Sequence, residues 1–163
     1  IGDAIMAVWG APTGTPEDPQ KAVMACLEMR QALVGFNEDR IAKGKEPVKI
    51  GMGLHMGDVI SGTLGSSERM EFTVIGDNVN MAARIEASTK AFGADILLSE
   101  ALFNTCKDEY VIKVAGGVEV KGKADKFNLY TLHGIKHADG TVEIVETPYS
   151  SYKAEGADKI KVG

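Results

Sequence analysis

The chain has 163 residues, of which 44% are hydrophobic and 25% are charged, and its formal net charge at pH 7 is -5. This length and apolar content suit one domain with a single core. No segment gathers enough lysine and arginine to neutralise a run of phosphates, which argues against a nucleic-acid partner. No apolar run is long enough to span a bilayer, and no signal peptide is visible. We therefore expect a soluble, cytoplasmic segment without membrane contact of its own, in a protein that other segments could attach to a membrane.

The N-terminal residues predict part of a hairpin. The apolar run AIMAVWG (4–10) follows Gly2-Asp3, which predicts a second hairpin arm with Asp3 at the tip. Because Ile1 begins in the middle of this pattern, we expect the chain to be a piece of a longer protein. Cys26 and Cys106, further along, have no metal-ligand spacing, which favours reduced thiols.

A long helix is predicted after this arm. The stretch TPED (15–18) supplies an N-cap, a proline at the first helical position and a capping acid, and the helix should reach about Lys43. Its predicted buried stripe has helical spacing and consists of Ala22, Cys26, Met29, Leu33 and Phe36.

The middle of the chain predicts strands interrupted by glycine. Residues 48–65 are strand-like with five glycines, and residues 70–76 form a second strand that could pair with them. The glycines at 51, 53 and 57 indicate close backbone approach or bulging. His55 lies among them, and we interpret it as structural rather than as a ligand.

The remaining pattern mixes helices and strands, which predicts an α/β sandwich with one sheet and helices laid on it. The predicted elements are helix 78–91, strand 94–100, helix 101–108 and a closing pair of strands, 109–122 and 126–135. The tail 136–163 is polar, and no firm structure is assigned to it.

Two side chains of the predicted helix 78–91 raise a functional question. Asn80 and Arg84 are four residues apart and project from one face, just after a helix start that Asp77 could cap. They can be a solvated i,i+4 pair or an anion site for phosphate oxygens. Asp3 also has two interpretations. Gly-Asp is a common turn sequence, and a carboxylate at a hairpin tip is also a good magnesium ligand.

Three stretches together resemble a known family. IGDAIMAVWGAP (1–12), GMGLHMGDVISGTLGSSERMEFTVIGDNVNMAARIEA (51–87) and VEVKGK (118–123) are similar to class III nucleotidyl cyclase catalytic domains of the bacterial adenylate cyclase type. The resemblance covers 1–135, a partial catalytic domain, and leaves 136–163 as a polar C-terminal extension. It implies a ferredoxin-like α/β (α+β) fold with helices packed on a mixed sheet, lacking the family's first strand and first two helices.

The resemblance also implies roles for the residues singled out above. Asp3 falls on the second of two metal-binding aspartates, which hold two Mg²⁺ or Mn²⁺ ions per site. Asn80 matches the amide that orients the ribose, and Arg84 matches the arginine that stabilises the transition state at the α-phosphate. In the family two units pair head to tail, so we expect a homodimer with composite active sites.

Substrate choice follows from the same resemblance. Thr73 falls on a purine-selecting position, and Lys121 or Lys123 lies near a lysine that contacts the terminal phosphates in some members, although a lysine pair in a turn can simply be solvated. The resemblance thus implies an adenylate cyclase that converts ATP to 3′,5′-cyclic AMP and pyrophosphate. Because the first metal aspartate and the adenine-reading lysine would lie upstream of Ile1, the isolated chain should be inactive.

Three alternatives stay open. The chain could belong to a guanylate cyclase, to a non-catalytic cyclase homology unit for dimerisation or regulation, or to a nucleotide sensor without turnover.

Overall fold

The structure, a computed structural model, describes residues 2–120, 126–151 and 161–162. Its helices and strands, in chain order, are α1 (Asp18–Ala42), β1 (Met52–Leu54), β2 (Ile60–Ser66), β3 (Arg69–Ile75), α2 (Asp77–Ala87), α3 (Thr89–Phe92), β4 (Ile96–Ser99), α4 (Glu100–Cys106), β5 (Tyr110–Val120), β6 (Lys126–Lys136), β7 (Val142–Ile144) and β8 (Lys161–Val162).

A six-stranded mixed sheet forms the centre of the fold. Its order is β1-β4-β6-β5-β8, and β7 pairs with β6 outside this path. β1 runs parallel to β4, whereas β6 is antiparallel to both β4 and β5. β2 and β3 form a separate antiparallel hairpin, from Ile60 opposite Ile75 to Ser66 opposite Arg69. The predicted mixed sheet and both predicted strand pairings are confirmed.

Helices cover both faces of this sheet. Ile96 and Leu98 of β4 pack in a cluster with residues of α1 and α4, while Leu97 packs in a second cluster with Ile85 of α2 and, at its edge, Phe92 of α3. Because side chains alternate along a strand, the two clusters lie on opposite faces. All four residues of β4 are buried for this reason, and the predicted α/β sandwich is confirmed.

The predicted stripe of α1 is partly wrong. Met29 and Phe36 are 43% and 55% exposed, whereas Arg30 and Asn37 are buried at 3% and 0%. Polar groups can replace apolar ones there because both find partners: the Asn37 amide exchanges two 2.8 Å hydrogen bonds with the backbone of Val48. A hydrophobic pattern cannot show such partners in advance.

Part of the tail belongs to the packed structure. β7 pairs with β6, Val145 is buried in the larger core cluster, and the Asp95 amide donates to the Ser150 carbonyl at 3.2 Å. β8 adds to the sheet edge beside β5.

The predicted strand at residues 4–10 is not formed. Gly2 and Asp3 form a turn, but residues 4–8 are neither helix nor strand, and Ile5 is 94% exposed. No strand among the described residues pairs with them, and a hairpin arm has little stability without a partner.

Candidate active site

The site is built where β3 turns into α2. Gly76, between them, has φ of 138°, a region that favours glycine, so the chain can turn sharply here. Gly76 is also the N-cap of α2, and no side-chain hydrogen bond caps the helix. The prediction that Asp77 caps α2 is therefore wrong, because Asp77 is already the first helical residue.

The predicted helix 78–91 is two helices. α2 ends before Ser88, whose hydroxyl donates to the Arg84 carbonyl at 2.9 Å, and the Thr89 hydroxyl donates to the Glu86 carbonyl at 2.8 Å. These side-chain bonds compete with the helical backbone bonds and favour an end at this point. α3 continues for one turn and stops at Gly93, which is in the left-handed conformation.

Asn80 and Arg84 lie on one side of α2, while Ile85 anchors the helix in the core. Ile85 is 2% exposed, whereas Asn80 is exposed and Arg84 is partly buried. Neither side chain forms a hydrogen bond or ion pair with any described residue, and the two do not bond to each other. The fold thus presents an amide and a guanidinium with all their donors available to another molecule.

The other predicted site residues are not joined to this pair. Thr73 is partly buried in β3, opposite Gly62 of β2. Asp3 is exposed in the turn at residues 2–3, and no hydrogen bond or ion pair connects it to another described residue. Lys121 and Lys123 lie outside the described residues.

Among the described residues, Asp3 alone of the predicted metal ligands is present. Asp3 offers a carboxylate, the type of ligand that Mg²⁺ and Mn²⁺ prefer. Within residues 2–120, 126–151 and 161–162, however, no three His, Cys, Asp or Glu side chains come close enough to hold an ion. Asp3 therefore fits as one ligand of a divalent ion, and further ligands must join it to complete a site.

Two glycines explain how close α2 lies to β1 and the segment after it. A Cβ added at Gly53 would overlap the backbone nitrogen of Glu86, and one added at Gly57 would lie 2.5 Å from the side-chain amide of Asn78. The predicted close backbone approach is confirmed, and the element that approaches is α2. Asn78, which the sequence analysis did not single out, is therefore part of the site's support. The signal for it was Gly57, a glycine whose missing side chain leaves room for a neighbour.

Comparison with known proteins identifies the class of this domain. Residues 1–134 match the family described as the adenylate and guanylate cyclase catalytic domain. The chain belongs to this family, as the resemblance predicted.

Particular relatives include cyclases of both nucleotide types. Adenylate cyclase 1 of Rhizobium meliloti (strain 1021) is 31% identical over 142 residues, which are 87% of this chain and 21% of the relative. The guanylyl cyclase Cya2 superposes with a TM-score of 0.71 at 30% identity, over 80% of this chain and 65% of the other. The adenylyl cyclase CyaB from P. aeruginosa gives 0.69 at 30% identity, over 76% and 64%. The chain thus spans about a fifth of the curated relative.

The helices of the described part of the chain include none with both the length and the apolar character needed to cross a membrane.

Proposed function

We propose that this domain provides catalytic residues of an adenylate cyclase, which converts ATP to 3′,5′-cyclic AMP and pyrophosphate in cyclic nucleotide signalling. The observation that carries the proposal is the pair Asn80 and Arg84, held on α2 with unpaired donors in a chain of the cyclase family. Close packing of α2 at Gly53 and Gly57 sets the position of the helix that carries this pair.

The reaction defines what each side chain does. The ribose 3′-oxygen releases its proton to water and bonds to the α-phosphorus, while the bond from that phosphorus to the bridging oxygen breaks and pyrophosphate leaves. Negative charge builds on the non-bridging oxygens, where the Arg84 guanidinium stabilises it. The Asn80 amide holds the ribose so that its 3′-oxygen faces the phosphorus.

Divalent ions complete the chemistry, and Asp3 would hold them as one ligand. Two Mg²⁺ or Mn²⁺ ions, when bound, supply a lower pKa for the attacking hydroxyl and neutralise phosphate charge. The resemblance assigns one metal aspartate, Asp3, to these 163 residues, so we propose that they show little cyclase activity on their own.

The β2/β3 hairpin supports a homodimer with composite active sites. All seven residues of β2 are exposed, and Leu64, Met70 and Phe72 are 58%, 63% and 52% exposed. A two-stranded sheet with apolar side chains left in solvent is typical of an interaction surface. We propose that a second copy of the chain covers it and brings its own Asp3 to the Asn80 and Arg84 of this copy.

Thr73 would favour ATP over GTP. Its hydroxyl can donate or accept one hydrogen bond at the purine edge. The relatives leave both nucleotides open, since Cya2 is named a guanylyl cyclase and CyaB an adenylyl cyclase. Turnover of the intact protein should be faster with ATP, and comparable kcat/KM values for ATP and GTP would show that Thr73 does not discriminate.

A mixing experiment tests the proposal. In the intact protein, Arg84→Ala should lower kcat roughly a hundredfold or more, with a smaller effect on nucleotide binding. Asp3→Ala should also be inactive. A mixture of the two variants should regain activity, because one of the two sites in the heterodimer keeps both residues.

Each result of that experiment has a separate meaning. An active Arg84→Ala enzyme would refute the catalytic role of Arg84. Two inactive variants that form heterodimers without regaining activity would refute the shared site. An intact wild-type protein that binds ATP and never turns it over would instead assign the domain to the non-catalytic units or sensors of the family.

A further inference from the structure

The first turn of α2 lacks the usual local support. Helices are commonly fixed at their start by a side chain that accepts a hydrogen bond from a free backbone amide. Here the N-cap is Gly76 and makes no such bond. Of the side chains at positions 77–80, Asn78 alone is hydrogen-bonded within the described part of the chain. Among these side chains, Asn78 is therefore the one that connects the turn carrying Asn80 to the segment after β1.

Asn78 is bound on both sides of its amide. Its Nδ2 donates to the Asp58 carbonyl at 2.7 Å, and its Oδ1 lies 2.9 Å from Nε2 of His55. Because Oδ1 can only accept, His55 must donate from Nε2, which assigns its tautomer. We refer to His55, Asp58 and Asn78 as the Asn78 latch.

Close packing keeps the residues of the Asn78 latch in place. Gly57, between His55 and Asp58, leaves no room for a side chain, because a Cβ would lie 2.5 Å from both the amide carbon and Nδ2 of Asn78. The Nδ1 atom of His55 is buried and has no hydrogen-bond partner among the described residues. Among the described residues, the imidazole ring therefore makes one hydrogen bond, from Nε2 to Asn78.

The latch connects the segment after β1 to the residues proposed for catalysis. Asn78 stands two positions before Asn80 and six before Arg84 on the same helix. A misplacement of about 1 Å caused by a mutation away from the reacting atoms can cost about a hundredfold in rate. We infer that the Asn78 latch holds the start of α2 so that Asn80 and Arg84 meet the nucleotide correctly, with His55 as a positioning residue that acts through Asn78. This inference rests on the proposed function.

Two substitutions of His55 separate positioning from general packing. Glutamine places an amide nitrogen near the position of Nε2, so His55→Gln can still donate to Asn78. Asparagine is too short and places its amide near Nδ1, so His55→Asn cannot. In the intact protein, His55→Asn should lower kcat about tenfold or more with a change of less than about threefold in the KM for ATP. His55→Gln should stay within about threefold of wild type for both constants.

Hydrogen exchange tests the latch without any requirement for activity. The amides of Val79 and Asn80 both donate to the Gly76 carbonyl, at 3.1 and 3.3 Å. Loss of the latch should let this turn open, so these amides should exchange at least about tenfold faster in His55→Asn than in wild type or His55→Gln. Amides of β4, in the buried centre of the sheet, should not change and provide the internal reference.

The outcomes distinguish this inference from the proposed function. Unchanged exchange at Val79 and Asn80 in His55→Asn would overturn the latch. Faster exchange with unchanged kcat, or equal losses of kcat in both His55 variants, would overturn the positioning role. Arg84→Ala, measured in parallel, refutes the proposed function if it is fully active, whatever the His55 variants do. If His55→Asn does not fold, Asn78→Ala removes the bond to His55 together with the bond to the Asp58 carbonyl and is judged by the same measurements.

Discussion

Two regions of this domain treat their polar groups in opposite ways. On α1, the buried Arg30 guanidinium bonds to both Asp95 oxygens at 2.9 and 2.6 Å and to the carbonyls of Leu132 and Val145 at 2.9 and 2.7 Å. On α2, the Asn80 and Arg84 side chains have no described partner. The first region satisfies its charges internally, as a stable core requires. The second leaves its side-chain donors without partners among the described residues, which is expected of a surface that binds another molecule.

The largest predicted effect lies in the first region. Arg30→Ala leaves the buried Asp95 without its ion-pair partner and removes a donor from two carbonyls. We expect the free energy of unfolding to fall by about 3–5 kcal/mol. Urea denaturation followed by circular dichroism measures this change.

Arg69→Ala is the matched control. Arg69 pairs with Glu71 at 3.4 Å, but these two side chains are 86% and 71% exposed. Solvent screens such a pair, so the unfolding midpoint should barely change. Equal effects of the two substitutions would contradict the contrast between the regions.

The same contrast decides what the sequence could predict. The sandwich, both strand pairings and the long helix follow from apolar periodicity, because burial is what that pattern records. Arg30 and Asn37 were missed since their burial depends on partners that are distant in sequence: Asp95 lies 65 residues from Arg30. Asn80 and Arg84 are proposed through the family motif around them, and their spacing alone left two interpretations.

The predictions that the structure contradicts failed for physical reasons. The strand at residues 4–10 was predicted from composition, yet a strand forms only beside another strand. Part of the tail pairs with β6 through Val142–Ile144 although it is mostly polar, because an edge strand needs backbone hydrogen bonds more than apolar side chains. The support of α2 by His55 and Asn78 was not predicted because it depends on tertiary contacts across 23 residues.

The second prediction concerns the contact between β1 and α2, which joins the two regions. A Cβ at Gly53 would overlap the backbone of Glu86, and backbone cannot move aside as a flexible side chain can. Gly53→Ala should therefore reduce the free energy of unfolding by about 1–3 kcal/mol and displace α2. Denaturant unfolding measures the first effect, and amide chemical shifts along α2 report the second.

Gly62→Ala serves as the comparison for that substitution. Gly62 also lies in a strand, but an added Cβ would meet nothing within 4 Å. If the two variants were equally stable, α2 would not be packed against β1 as closely as the structure shows.

The third prediction concerns the exposed β2/β3 hairpin. The substitution should leave the fold of each subunit unchanged. Leu64→Glu puts a charge on the exposed face of the β2/β3 hairpin, which we propose is covered by a second copy. The dimer dissociation constant should rise about tenfold or more, because a buried unpaired charge opposes association. Sedimentation equilibrium measures it. Val114→Glu, at a residue of β5 that is 67% exposed, should leave the constant unchanged; a similar weakening by both variants would show that the hairpin is not the interface.

The last prediction concerns the two buried thiols of the packed region, whose effect leaves fold and function unchanged. Burial raises the pKa of the Cys26 thiol to about 12 and that of Cys106 to about 11. The thiolate is the reactive form, and its fraction at pH 8 falls about tenfold for each unit by which the pKa rises. Both thiols should therefore react with a disulfide reagent at pH 8 at least about a hundredfold more slowly in the folded protein than in guanidinium chloride. Rapid reaction of either thiol under native conditions would show that the α1 side of the sheet opens readily, so that the first region is not the self-contained core described above.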